Sequence, residues 1–128
     1  MPKAPSRTRR IMIVDDEPDF VELTRSWIEP SYELVGLGDG SGLAEQIEAL
    51  EPELVILDVR LPGLDGFKLC KRLRADQRFR SLPILFLTAS HSDIDFFRNI
   101  ESGGTAYMTK PVTRVELMAK IKELLDEP

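Results

Sequence analysis

The 128-residue sequence predicts an α/β protein: a doubly wound (βα)5 sandwich built on one five-stranded parallel sheet. Three observations carry this expectation. Short aliphatic runs, most of them continuous rather than alternating, suit strands covered on both faces. Between the runs, apolar residues recur at helical spacing, so each strand is followed by a helix with one face to bury. The connections are short, which calls for right-handed crossovers and helices on both sides of the sheet.

Taken in order, RIMIV at 10–14 is the first strand, and Phe20, Leu23, Trp27 and Ile28 mark the helix after it. YELVGL at 32–37 precedes a stripe of Leu43, Ala44, Ile47 and Leu50. ELVIL at 53–57 is the third strand, and after a Pro/Gly turn Asp65 starts a helix carrying Phe67, Cys70 and Leu73. PILFL at 83–87 is followed by Ile94, Phe97 and Ile100, with Ser92 and Asp95 at capping-box spacing. AYMT at 106–109 is the last strand, and Thr113 with Glu116 caps a helix bearing Met118, Ile121 and Leu125.

This length fits one domain, expected over residues 9–126, with residues 1–8 as a mobile basic tail. Lys3, Arg7, Arg9 and Arg10 read as a solvated end, since no apolar stretch of a secretion signal follows them. Setting those four aside leaves 13 basic residues against 22 acidic ones, a body that repels nucleic acid and anionic lipid. Neither is an expected partner of the domain. No apolar run approaches the roughly 20 residues needed to span a bilayer, and a cytoplasmic location is expected. Cys70 is the only cysteine, which rules out an intrachain disulfide and suits a reducing compartment. The chain ends just past the fifth helix, so output is expected through a partner, with no output domain in this chain.

In a doubly wound sheet, ligands bind beyond the carboxyl ends of the strands. Asp15 and Asp16 follow the first strand, Asp58 the third, Thr88 the fourth and Lys110 the fifth, so all five reach that edge. Each has an ordinary reading when taken alone: helix cap for the acids, strand end for Thr88, surface cation for Lys110. Their coincidence favours a site. Three crowded carboxylates repel one another unless a cation neutralises them, and a hard divalent ion with oxygen ligands, Mg2+ or Mn2+, is the natural one. The cluster lacks the His and Cys ligands that zinc prefers, and no GxxxxGK loop is present for a nucleotide. A carboxylate beside such an ion can attack phosphorus and form an aspartyl phosphate, with Lys110 and Thr88 stabilising the phosphoryl oxygens. Asp58, on the central strand, is the candidate nucleophile. His91 reads as the polar lead-in to a helix, since nothing pairs with it.

The segments IVDDE, LDVRLPGLDG, LTA and TKP, in order and at matching spacing, resemble the motifs of the response-regulator receiver domain across nearly the whole chain. The resemblance implies a flavodoxin-like sheet of order 2-1-3-4-5. It implies Asp58 as phosphoacceptor and Asp15, Asp16, Asp58 and the backbone carbonyl of Arg60 as the Mg2+ shell. It further implies Lys110 and Thr88 as the phosphoryl-binding pair, Tyr107 as a rotamer switch coupled to Thr88, and a cis peptide between Lys110 and Pro111. The implied function is that of a two-component or phosphorelay switch rather than an enzyme. A histidine kinase or histidine phosphotransfer protein would be the donor. A downstream protein, or a second copy in a homodimer, would read the face formed by the fourth helix, fifth strand and fifth helix. Two rivals are a small Mg-dependent phosphohydrolase with an aspartyl-phosphate intermediate and a receiver-like interaction module that is never phosphorylated. Arg60 stands where a phosphohydrolase would want a second acid.

Overall fold

The computed structural model describes residues 9–89 and 93–127, with side chains given for all of these except 93–97. The expected tail 1–8, Ser90, His91, the Ser92 cap, and the side chains of Ile94 and Phe97 lie outside the described residues. The elements run β1 (Arg10–Val14), α1 (Pro18–Ile28), β2 (Glu33–Leu37), α2 (Leu43–Leu50), β3 (Leu54–Leu57), β4 (Arg60–Leu61), β5 (Leu64–Asp65), α3 (Gly66–Ala75), a 3-10 turn (Gln77–Phe79), β6 (Ile84–Thr88), α4 (Asp93–Ser102), β7 (Ala106–Thr109) and α5 (Arg114–Leu124).

Five strands form one parallel sheet in the order β2-β1-β3-β6-β7. Numbering only the predicted strands, this is the expected 2-1-3-4-5. Because successive strand side chains point to opposite faces, each central strand feeds two cores. Met12, Val14, Val55, Leu57, Ile84 and Phe86 pack with Leu43, Ile47, Phe67 and Leu73 under α2 and α3. Ile11, Ile13, Leu54, Ile56, Leu85 and Leu87 pack with Val21, Ile28, Leu117 and Ile121 under α1 and α5. Burial on both sides is why these strands are continuous aliphatic runs.

Three details differ from the sequence reading. Leu23 is 48% exposed and Ile100 62% exposed, so neither belongs to the core. The buried face of α1 runs instead through Val21, Thr24 and Ile28, with the Thr24 hydroxyl donating to the Phe20 and Val21 carbonyls. The turn after Asp58 contains a two-residue antiparallel hairpin, β4–β5, too short to leave a periodic signal. Finally, Arg9 and Arg10 are structural pins rather than solvated tail. Arg9 bonds the Leu125 carbonyl at 2.9 Å and Glu127 at 2.8 Å, and Arg10 bonds Glu33 at 2.9 Å. Thr113 and Glu116 form the expected capping box of α5.

Candidate functional site

Val14 and Leu57 are register partners at the ends of β1 and β3, so Asp15 and Asp58 leave the sheet side by side. Their own N–H groups donate to Leu37 and Val14 carbonyls, each at 3.0 Å, which prolongs the ladder to the last residue before the loops. Adjacent strands are about 4.8 Å apart, and one oxygen each from Asp15, Asp16 and Asp58 lies within 4.8 Å of the others. Asp15 and Asp58 are buried while Asp16 is exposed, which leaves the cluster open on one side. None of the three caps a helix: the residue at the head of α1 is Glu17, and that of α3 is Asp65.

Lys110 reaches across from the end of β7. Its ammonium lies 2.8 Å from Asp15, 2.9 Å from Glu17 and 3.6 Å from Asp58, and 4.2 Å from the centre of the Phe20 ring. Burial would push the Lys110 pKa down, yet the hydrogen bonds to Asp15 and Glu17 outweigh it and the value is raised. Burial raises the Asp15 pKa, against the lowering pull of Lys110 and of the Glu17 N–H. Glu17 occupies the N-cap position of α1 without making a side-chain cap bond; its carboxylate goes to Lys110 instead. Pro18, with no N–H to satisfy, follows it.

The loop after Asp58 is held tightly. The Arg60 N–H donates to Asp58 Oδ1 at 3.2 Å, and the Gly66 N–H to the Val59 carbonyl at 2.7 Å. A Cβ on Gly66 would fall 2.3 Å from the Asp58 carbonyl oxygen, so only glycine fits there. Asp65 accepts from the Phe67 N–H at 2.8 Å and pairs with Arg98 of α4. Burial raises the Asp65 carboxyl, but the bonds from Arg98 and the Phe67 N–H hold it below the usual carboxylate range. The Arg98 guanidinium also lies 4.8 Å from the Phe67 ring centre, and Phe67 in turn stacks on Tyr107 at 6.5 Å. A packed path therefore runs from the Asp58 loop to β7.

Thr88 is buried at the end of β6, and its carbonyl accepts from the Lys110 N–H at 2.8 Å. The Lys110–Pro111 peptide is cis, as expected. The structure thus brings Asp15, Asp16, Asp58 and Lys110 together and sets Thr88 beside Lys110 in the sheet. Tyr107, which lies two residues earlier than Thr109, the register partner of Thr88, packs on Phe67. Glu17, Phe20, Gly66 and Arg98 do not stand out in the sequence as parts of this site. Glu17, inside IVDDE, and Gly66, the last residue of LDVRLPGLDG, lie within quoted motifs; Phe20 and Arg98 do not. The all-carboxylate donor set fits a hard divalent ion that keeps some of its own waters.

Residues 11–122 match the family model for the response regulator receiver domain. Over 118 residues the chain is 39% identical to the alkaline phosphatase synthesis transcriptional regulatory protein PhoP of Bacillus subtilis, covering 91% of this chain and 48% of that protein. It is 36% identical over 125 residues to the DNA-binding response regulator MtrA of Mycolicibacterium smegmatis, covering 94% and 54%. The chain spans about half the length of these curated relatives. Among solved structures, a CheY-like response regulator receiver domain protein from Methanospirillum hungatei matches with a TM-score of 0.86 at 27% identity, covering 94% of this chain and 95% of that one. The BeF3-activated N-terminal receiver domain of Klebsiella pneumoniae RstA matches at 0.84 and 30%, covering 93% and 100%.

Proposed function

Since the chain belongs to the response-regulator receiver family, we propose that it is a phosphoacceptor switch of a two-component or phosphorelay system, with Asp58 as the acceptor. The observation that carries this reading is the convergence of Asp15, Asp16 and Asp58 within 4.8 Å, with the Lys110 ammonium 3.6 Å from Asp58.

In this reading a histidine kinase or histidine phosphotransfer protein presents phosphohistidine. An Asp58 carboxylate oxygen forms the new O–P bond as the N–P bond breaks, and the imidazole leaves with the electron pair and takes up a proton. A Mg2+ ion held by Asp15, Asp16, Asp58 and the Arg60 carbonyl would offset carboxylate repulsion and draw charge from the phosphoryl oxygens. Lys110 supplies a second positive charge from the side, moving off Asp15 and Glu17 onto a phosphoryl oxygen. The Thr88 hydroxyl donates to another, and Tyr107 follows it. Phosphorylation then biases two conformations of the α4–β7–α5 face, which a downstream protein or a second copy reads by differential affinity. The reading places the protein in the cytoplasm, as a switch that accepts one group rather than an enzyme that turns over. Among the described residues no helix is long and apolar enough to cross a membrane. The phosphohydrolase rival is not favoured, since the position two residues after Asp58 is the exposed Arg60.

Incubation with acetyl phosphate and Mg2+, followed by intact-mass measurement, tests the proposal. One phosphoryl adduct, absent in Asp58→Asn, is expected. No adduct on folded protein, or an adduct that survives the substitution, overturns it.

A further inference from the structure

Helix α3 carries Lys68, Lys71, Arg72 and Arg74 and no carboxylate, in a chain whose acids outnumber its bases. Arg74 is turned inward onto the carbonyls of Phe79, Leu82 and Gly103. Lys68, Lys71 and Arg72 are exposed, and among the described residues no carboxylate pairs with them. Elsewhere Arg9, Arg10, Arg25 and Arg78 each hold an acid within 3.4 Å. The outer face of α3 is therefore a local excess of positive charge.

Two depressions meet on that face. One, of about 680 Å3, lies between α3 and the segment entering α2, with Leu43, Leu64, Leu69, Leu73 and Phe79 in its wall. The other, of about 500 Å3, lies between α3 and the β4–β5 hairpin; Lys68 and Arg72 line it together with Arg60 and the Arg98–Asp65 ion pair. They share Leu64, Leu69 and Arg72, so they form one trough with an apolar half and a cationic half.

We infer that this trough is a docking surface for a short, acidic, amphipathic polypeptide segment of a partner protein. Carboxylates of the segment meet Lys68 and Arg72, and its apolar side chains cover the accessible Ala44, Pro62 and Leu64 above the buried Leu69 and Leu73. Charge complementarity selects this occupant. The apolar half is rimmed by Asp39, Glu45 and Asp76, so a favourable anion footprint is confined to the cationic half. At a Debye length of about 8 Å a segment of that size feels the local patch. Extended DNA or an anionic bilayer would also meet the carboxylates of α2 and the net negative charge of the chain. A nucleotide would want an enclosed pocket that buries most of its surface, whereas Lys68 and Arg72 stand exposed to solvent.

Selection of random twelve-residue display peptides on the immobilised full chain, without phosphodonor, tests this. Expected are peptides rich in Asp and Glu interleaved with Leu or Phe, whose synthetic versions bind less tightly as salt rises. Binding is expected to fall by about tenfold in Lys68→Glu/Arg72→Glu and to hold in Lys120→Glu on α5. Lys68 and Arg72 take no part in the chemistry proposed for Asp58, so acceptor labelling should persist in the double variant and the two proposals fail separately. Absence of acidic enrichment, unchanged binding in the double variant, or tighter Lys68- and Arg72-dependent binding of ATP, a DNA duplex or phosphatidylserine vesicles overturns the inference.

Discussion

The Lys110 ammonium lies closer to Asp15, at 2.8 Å, than to Asp58, at 3.6 Å. With Glu17 also holding it at 2.9 Å, the cation is parked against Asp15 and Glu17 rather than on the proposed acceptor. Lys110→Met keeps the stem and removes the charge. Labelling of Asp58 by acetyl phosphate should slow by about a hundredfold, the usual cost of losing one preorganised charge-stabilising donor. Circular dichroism should show a folded chain. A labelling rate within a few-fold of wild type would count against a role for Lys110 in phosphoryl transfer.

Three carboxylates within 4.8 Å repel one another when no ion is bound. Asp16 is the exposed member, so Asp16→Asn relieves repulsion without leaving a buried group unpaired. The ion-free variant should be more stable than wild type by about 0.5 kcal/mol. Mg2+ should raise the wild-type melting temperature, because an ion bound only by the folded state stabilises it by mass action, and should leave Asp16→Asn nearly unmoved. Thermal melts with chelator and with excess Mg2+ measure both effects.

Gly66 packs directly on the backbone of Asp58, the proposed acceptor. Its added Cβ would lie 2.3 Å from the Asp58 carbonyl oxygen and 2.9 Å from the Val59 Cα, both of which are backbone atoms that cannot swing away. Gly66→Ala should destabilise by about 2 kcal/mol, as overpacking does, and should displace Asp58 enough to slow labelling. Gly63 is a useful contrast. It has φ +68, but a Cβ added there would meet nothing within 4 Å, so Gly63→Ala should cost only about 1 kcal/mol of backbone strain and spare the chemistry. Urea unfolding and the labelling assay separate the two.

These residues also show what the sequence can tell. The five main strands are legible because burial on both faces makes them continuous aliphatic runs, and the strand ends then bring Asp15, Asp58 and Lys110 to one edge. Spacing misplaces Leu23 and Ile100 because it does not say where a helical stripe is centred; on α1 the true face passes through Thr24, which satisfies its hydroxyl on the helix itself. The β4–β5 hairpin is two residues per strand and leaves no period to detect. Arg9 and Arg10 read as tail because their partners, Glu127 and Glu33, are remote in sequence. The same holds for Arg98 and Asp65.

Tyr32 ties the start of β2 to the C-terminal end of the chain through its hydroxyl bond to Glu127, beside Arg9. Burial first, and then the bond to the Glu127 carboxylate, push the phenol up to about 12 from an ordinary value of 10.0. A raised folded-state value means the protonated phenol is favoured by folding. Its contribution is complete below pH 10 and disappears as pH rises through about 12. Tyr32→Phe should lose about 1 kcal/mol at neutral pH and should flatten the alkaline fall in stability across that window. Denaturant unfolding of both proteins from pH 9 upward would detect it, and parallel curves would dismiss it.

Arg60 is exposed on β4, and its N–H donates to Asp58 Oδ1 at 3.2 Å. Its side chain therefore starts two residues beyond Asp58, beside the carboxylate proposed as the acceptor. In the proposed switch, a long guanidinium at that position would restrict the access of hydrolytic water to the phosphoryl group. Arg60→Ala keeps the backbone N–H and carbonyl, so the metal shell and the transfer step should be retained while water gains access. The phosphorylated form should decay several-fold faster, with the rate of labelling little changed. Following loss of the adduct by intact mass after removal of acetyl phosphate measures this directly. Equal decay in Arg60→Ala and wild type would show that the guanidinium does not guard the acceptor, and a large fall in labelling would show that it acts in the transfer step instead.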